Sequence, residues 1–247
     1  MSTSFYESDA ALDQYLLFHY GTPEQICPLL PEARAACGFP VRCVSEPLKK
    51  IDLHGKARAL DLGCAVGRSS LELGRYFDEV IGIDFSQRFI AAAGRMGKER
   101  VMTVQTPREG AMTDELRLEL PVDLRTEHVR FEQGDACALR ADLGTFDFVL
   151  MANLVDRLPD PARCLAQLPA LIRPGGWLVI TSPYTWLEEY TPRGKWLDQG
   201  QGTLTALRAH LAPAFNLAHT FDLPMVLRDH HRKTQWTVTE ASVWERV

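Results

Sequence analysis

Between residues 57 and 182 short apolar runs alternate with amphipathic ones, and each apolar run leads into an acidic, polar or small residue. This pattern constrains the fold more than any other feature of the chain. Strand–helix alternation leads to a parallel sheet whose right-handed crossovers cover both faces. Ala57 to Leu62, Glu79 to Asp84, Val129 to Glu132, Phe146 to Met151 and Trp177 to Ser182 read as buried strands. The intervening periodicity predicts helices over 68–76, 87–96 and 161–172. A helix over 203–211 and strands over 216–221 and 235–244 then complete the sheet with an antiparallel final strand. Upstream, Ala11, Leu12, Tyr15, Leu16, Phe18 and His19 fall at helical spacing, giving a helix over 8–20 that Gly21-Thr22-Pro23 stops. The stretch with Pro28, Pro31, Gly38 and Pro40 reads as loop, and Ser45, Pro47 and Leu48 as the opening of a short helix. Residues 97–128 read as an insertion, partly helical at 111–118.

The fold class expected is therefore α/β: a Rossmann-like, mostly parallel sheet with an antiparallel final strand and helices on both faces. Residues 1–56 read as a helical lid or extension, and 57–247 as a single structural unit. Composition narrows the function. Of 247 residues, 46% are hydrophobic and 24% charged, the balance of a soluble globular chain. The net charge of −5 argues against a nucleic-acid partner, since phosphate contact needs a basic face. No apolar run reaches the length of a membrane span, and the polar, acidic Met1–Asp9 does not read as a signal peptide. The six cysteines contain no C-x-x-C pair and no zinc spacing, which points to reduced thiols in the cytoplasm. His230 and His231 are adjacent, and since adjacent residues of a strand face opposite ways, a shared metal is not expected.

In an open α/β sheet a ligand lies beyond the carboxyl ends of the strands, where the strand order reverses. The residues placed there are Asp61, Gly63, Ala65 and Gly67 after the first strand, and Asp84, Phe85 and Ser86 after the second. Asp135 and Ala136 follow the third, Asn153 and Asp156 the fourth, and Ser182, Pro183 and Tyr184 the fifth. The small residues of the first turn let backbone approach a ligand closely. Asp84, about twenty residues after that turn, can accept from both hydroxyls of a ribose, and Asp135 from an adenine amino group. The turn lacks the Gly-x-Gly-x-x-Gly of dinucleotide folds and carries an acid, which favours a sulfonium or ammonium over a pyrophosphate.

Asp61-Leu62-Gly63-Cys64-Ala65-Val66-Gly67, with Asp84, Asp135 and Arg173-Pro174-Gly175-Gly176, resembles the motif set of class I S-adenosylmethionine (SAM) methyltransferases over residues 57–182. A narrower likeness covers nearly the whole chain. Tyr6-Glu7-Ser8-Asp9, Gln14-Tyr15-Leu16, His19-Tyr20-Gly21, Asn153 through Leu158, Ser182 through Trp186 and Arg232 through Trp236 are similar to the methyltransferase domain of ovothiol synthases, here free-standing. That resemblance implies N-methylation of 5-thiohistidine (4-mercaptohistidine) to ovothiol A with SAM as cofactor and no metal, next to a separate sulfoxide synthase and lyase. Asp156, Tyr184 and Asn153 are then the candidates for orienting the ring, and Tyr15 joins the cofactor contacts. His19, Tyr20, Asp156, Tyr184, Trp186, Arg228, Arg232 and Lys233 are the candidates for the substrate. Arg68, where a small residue is expected, and Asp198-Gln199-Gly200, where a glycine-richer turn is expected, depart from the pattern. A methylase of another small molecule, a SAM-binding module without turnover and a nicotinamide oxidoreductase are the other readings of such a sheet.

Overall fold

The computed structural model describes residues 6–54 and 56–247; the parts of the expected N-terminal extension at 1–5 and 55 lie outside them. Its strands are β1 (Arg58–Leu62), β2 (Glu79–Asp84), β3 (Val101–Glu109), β4 (Met112–Glu119), β5 (Val129–Gln133), β6 (Phe146–Ala152), β7 (Ile172–Ser182), β8 (Phe215–His230) and β9 (Lys233–Arg246). Seven of them form one sheet in the order β5-β2-β1-β6-β7-β9-β8. All pairings from β5 to β7 are parallel, and β9 joins β7 and β8 antiparallel. The chain leaves β1 on one side through β2 and β5, then returns to β6 on the other. The strand order thus reverses between β1 and β6, where such sheets open a ligand crevice.

Side-chain alternation along β1 divides the core. Leu60 and Leu62 face a cluster with α6 (Pro161–Leu165), α7 (Leu168–Leu171) and α8 (Thr203–Leu211). Ala59 faces the opposite cluster, with α3 (Phe39–Leu48) and Leu73 of α4 (Arg68–Leu73). A third cluster joins α1 (Asp9–Tyr20) to α5 (Gln87–Glu99), β3 and β4. α1 begins at Ser8, whose Oγ accepts from Ala11 N at 3.1 Å, and is followed by α2 (Pro23–Ile26), which Thr22 and Gln25 close with a capping box. Tyr20 ties α1 to the turn after β1 by donating to Val66 O at 2.6 Å. These contacts lay the N-terminal helices across the mouth of the crevice.

Several expectations are corrected. The 111–118 segment is not helical: β3 and β4 form a hairpin of their own around Gly110, at φ 58°. Met102, Val104 and Thr106 are buried in alternation, the strand period overlooked among the charges. The helix expected to open at Ser45 begins at Phe39, with Gly38 ahead of it and Pro40 in its first turn; Pro47 lies in its last turn. The residues before it form a 3₁₀ turn over Pro31–Ala36. The 161–172 helix is split into α6 and α7, with Pro169 at the start of α7. The last two strands are far longer than expected and form one hairpin linked by His231-Arg232.

Gly67 precedes α4 at φ 87°, and a Cβ there would lie 2.6 Å from the Phe131 ring and 2.8 Å from Ala93. Gly67→Ala should lose about 1–2 kcal/mol for the left-handed backbone and about 1–3 kcal/mol more for overpacking. Gly110→Ala, at φ 58° with nothing within 4 Å, should lose the first part only. Urea unfolding of both variants measures the difference, and equal losses would contradict this packing.

Candidate active site

The crevice at the β1–β6 reversal holds a cavity of about 420 Å³. Its floor is two loops locked together by one side chain. Gly63 N and Cys64 N both donate to Ile83 O, at 2.8 and 3.0 Å. Ala65, at φ 48°, turns its N–H to Asp84 Oδ2 at 2.8 Å, and Ser86 N donates to Oδ1 at 2.9 Å. Ser86 Oγ caps α5 by accepting from Phe89 N at 3.1 Å. Each Asp84 oxygen keeps a lone pair for the cavity, in an orientation the amides fix. Burial pushes the Asp84 carboxyl above the usual range while those two amide bonds oppose the shift. Gly63 lies at φ 78° with a would-be Cβ 2.8 Å from Leu154, and a Cβ on Gly134 would come within 2.9 Å of Ile83. Asp135 Oδ1 accepts from Cys137 N at 2.8 Å.

Of the expected cofactor residues, Gly63, Ala65, Asp84, Phe85, Ser86, Asp135, Ala136, Asn153 and Tyr15 line this cavity. Asp61 and Gly67 do not. Asp61 shares the strand parity of Ala59 and so faces α4, where Oδ2 accepts from Ser69 Oγ at 2.8 Å and Ser70 Oγ at 2.6 Å. Its Oδ1 is buried with no partner, and burial raises the carboxyl to about 6. In this structure both residues shape the turn beside the cavity. Arg68 is buried and paired with Glu72 at 2.9 Å, which accounts for a large residue at that position.

Much of the cavity wall is aromatic, with Phe18, His19, Phe39, Tyr6, Tyr15 and Tyr190 among its residues. Burial and the nearby Arg68 lower His19 to about 3, so its imidazole is neutral; its Nδ1 is buried without a hydrogen bond. Burial holds the Tyr6 phenol well above its usual range and that of Tyr15 at about 12, so both remain protonated. Asn153, at φ 51°, accepts from Thr181 Oγ1 at 2.9 Å and donates to Met225 Sδ at 3.2 Å.

The remaining substrate candidates lie elsewhere. Asp156 is buried outside the cavity, where Oδ2 accepts from Thr185 N at 3.0 Å and Arg157 Nη1 at 2.9 Å. Tyr184 donates to Glu240 at 2.6 Å, and Trp186 donates to Thr203 at 3.0 Å and stacks on Trp196, so neither walls the pocket. Tyr20 is spent on Val66. Arg228 is buried behind α1, donating to Gln25 O at 2.8 Å. Arg232 lies in the β8–β9 turn, and Lys233 pairs with Asp229 at 2.9 Å. Sequence reasoning missed Arg157, Glu189 and Tyr190, which do line the cavity. Arg157 lies inside the Asn153–Leu158 segment singled out in the sequence, beside Asp156. The six cysteines are free and buried; Cys64 touches the cavity, but burial and the adjacent acids keep it a thiol. Among the described residues no group of three or more His, Cys, Asp or Glu could hold a metal ion, and no helix is long and apolar enough to cross a membrane.

This architecture, with acids after β2 and β5 and a glycine turn after β1, defines the class I methyltransferase fold. Residues 60–180 match the family model described as a methyltransferase domain. Trans-aconitate 2-methyltransferase of Deinococcus radiodurans is 31% identical over 129 residues, 51% of this chain and 38% of that protein. Demethylmenaquinone methyltransferase of Shouchella clausii is 28% identical over 137 residues, 54% and 48% of the two chains. The matches thus span about half, or less, of the relatives' lengths. Among solved structures, magnesium protoporphyrin IX methyltransferase (ChlM) of Synechocystis PCC 6803 with bound SAH superposes with a TM-score of 0.63 at 16% identity, over 100% of this chain and 98% of that one. The N-methyltransferase NodS of Bradyrhizobium japonicum WM9 with S-adenosyl-L-homocysteine gives 0.56 at 14% identity, over 97% and 99%. The match to a methyltransferase domain covers residues 60–180, the fold is that of the methyltransferases with bound S-adenosylhomocysteine, and the cofactor this indicates is SAM. The cavity fits that cofactor: Asp84 presents two oriented lone pairs for vicinal hydroxyls, and Glu7, Asp84 and Asp135 favour a cation.

Asp61 yields a pH prediction. Its folded value of about 6 lies above the ordinary 3.8, so the native state holds the proton more tightly than the unfolded chain. Its contribution is full below about pH 4 and is lost as pH rises through 6, amounting to about 3 kcal/mol. Relative to wild type, Asp61→Asn should gain stability between pH 4 and 7. Denaturant unfolding at both pH values measures this, and a constant difference between the two proteins would refute the buried ionisation.

Proposed function

We propose that this protein methylates a ring nitrogen of 5-thiohistidine, the one beside the side-chain carbon, giving ovothiol A. The observation that carries the reading is the aromatic part of the cavity wall. It adjoins the Asp84 loops and is built from the very N-terminal segment, Tyr6 through Tyr20, that resembles the entry to the ovothiol-type domain. SAM, when bound, supplies a methyl group on a sulfonium that is already a good leaving group. The residues of the chain then have to orient a nucleophile and exclude water. A neutral imidazole carries a lone pair on one nitrogen, so no strong base is needed. Neutral His19 and Asn153, which line the cavity, take over from Asp156 and Tyr184 as the groups that can hold the other ring nitrogen. The aromatic walls contributed by α1 and α3 cover the ring faces.

On this reading the substrate comes from a separate sulfoxide synthase and lyase, and the buried free thiols suit a reducing cytoplasm. Methylation of another small molecule is the alternative, favoured by relatives named for trans-aconitate and demethylmenaquinone.

Incubation with methyl-labelled SAM and 5-thiohistidine, histidine or ergothioneine, read by mass spectrometry, tests the proposal. The expected result is one label on the ring nitrogen of thiohistidine; SAM binding with no transfer to it would overturn the substrate. Asp84→Ala should weaken SAM by about 1.5–3 kcal/mol in calorimetry, the scale of hydrogen bonds to a charged group. Trp186→Ala should leave the N-to-S ratio of the product unchanged in NMR, because the indole packs outside the cavity. A shift toward S-methyl product would return Trp186 to the substrate wall.

A further inference from the structure

Arg228 and Lys233 are paired away from the cavity and Arg232 lies exposed in the β8–β9 turn, yet a cation does reach the cavity. Arg157 lines the crevice, and its Nη1 is fully engaged behind the wall, donating to Thr185 O at 2.7 Å and to Asp156 O and Oδ2, both at 2.9 Å. Buried Asp156, itself held by Thr185 N, fixes the plane of the guanidinium. The flat head lies over the Tyr190 ring, 5.1 Å from its centroid. Nε and Nη2, the side-on edge that grips a carboxylate with two parallel bonds, have no hydrogen bond among the described residues. Glu189, next to Tyr190, also lines the cavity; it is exposed and has no ion pair among the described residues.

We infer that Arg157 and Glu189 form a subsite for an α-amino-acid zwitterion, Arg157 binding the carboxylate and Glu189 the ammonium of the methyl acceptor. An arginine held on one edge and stacked on a ring is pre-organised for this task, and lysine would lack the planar fork. The inference rests on the methyl-transfer reading, but not on thiohistidine being the acceptor. SAM itself ends in the same zwitterion, so the experiment must separate the two sources.

With the protein saturated in S-adenosylhomocysteine, calorimetry compares thiohistidine with its decarboxylated amine, and histidine with histamine. Wild type should bind the carboxylate member of at least one pair about tenfold to a hundredfold more tightly, and Arg157→Lys should erase most of that preference. Glu189→Gln, an exposed change that spares the fold, should weaken the amino acids but not imidazole propionate, which lacks the ammonium. S-adenosylhomocysteine affinity should stay within twofold in both variants. Lack of a carboxylate preference in wild type, or its persistence in Arg157→Lys, overturns the assignment. A parallel loss of S-adenosylhomocysteine affinity overturns it too, by giving the subsite to the cofactor. If the preference appears but thiohistidine is not methylated, the proposed substrate fails and the subsite stands.

Discussion

The site depends on one carboxylate. Asp84 accepts an amide from the turn after β1 and another from the cap of α5, and so ties two crossover loops into one rigid floor. These charge-assisted bonds are stronger than ordinary ones, and they are made by the oxygens whose remaining lone pairs face the ligand. The residue that makes the first of these bonds, Ala65, stands in left-handed backbone, where the chain turns from β1 toward α4. Substrate-side geometry is then referred to this floor through Leu154, which packs against Gly63, and through Asn153 just before it.

The buried acid beside it has another role. Asp61 and Asp84 stand near the ends of neighbouring strands, and their sequence contexts look alike. By register they share a face, since Asp61 stands opposite Gly82, and position along the strand separates them: Asp84 is the last residue of its strand and Asp61 is not. Asp61 points into the layer of α4, where two serine hydroxyls satisfy one oxygen and leave the other bare. Burying a carboxylate with one unsatisfied oxygen costs stability. In return the start of α4 is drawn against β1, and the turn that carries Gly63 and Ala65 is held in its tight form.

Strand ends were legible in the sequence because apolar runs and their terminal acids are local signals. Eight of the cofactor positions read from them do line the cavity. Asp61 lies outside the cavity because it stands one residue short of the end of β1, where Ser69 and Ser70 of α4 cover it, and the motif alone does not show that cover. The substrate side was less legible because it is assembled from distant segments: α1, the loop after β6, Glu189-Tyr190 and β8. Arg228 shows the difficulty. It is buried and cationic, as a carboxylate anchor should be, but the hairpin register puts it behind α1, facing Gln25 and Asp114. A single sequence holds no signal for a register over so long a hairpin. The β3–β4 hairpin is different, since its period-two pattern was present and outweighed by its charge.

Regiochemistry connects these observations. A thiohistidine offers sulfur, the softer nucleophile, and two ring nitrogens, so a pocket that only concentrated it beside a methyl sulfonium would yield S-methyl product. Selecting nitrogen requires a rotation about the ring axis to be forbidden, and flat aromatic walls alone do not forbid it, because they permit spinning in the plane. A second fixed point on the amino-acid end removes that freedom. Arg157 is suited to be such a point: Asp156 and Thr185 fix its edge, so orientation is set before binding and little entropy is lost in the complex. In the proposed reaction Asp156 therefore matters through the arginine it holds, which joins the buried acid read from the sequence to the cavity it does not touch.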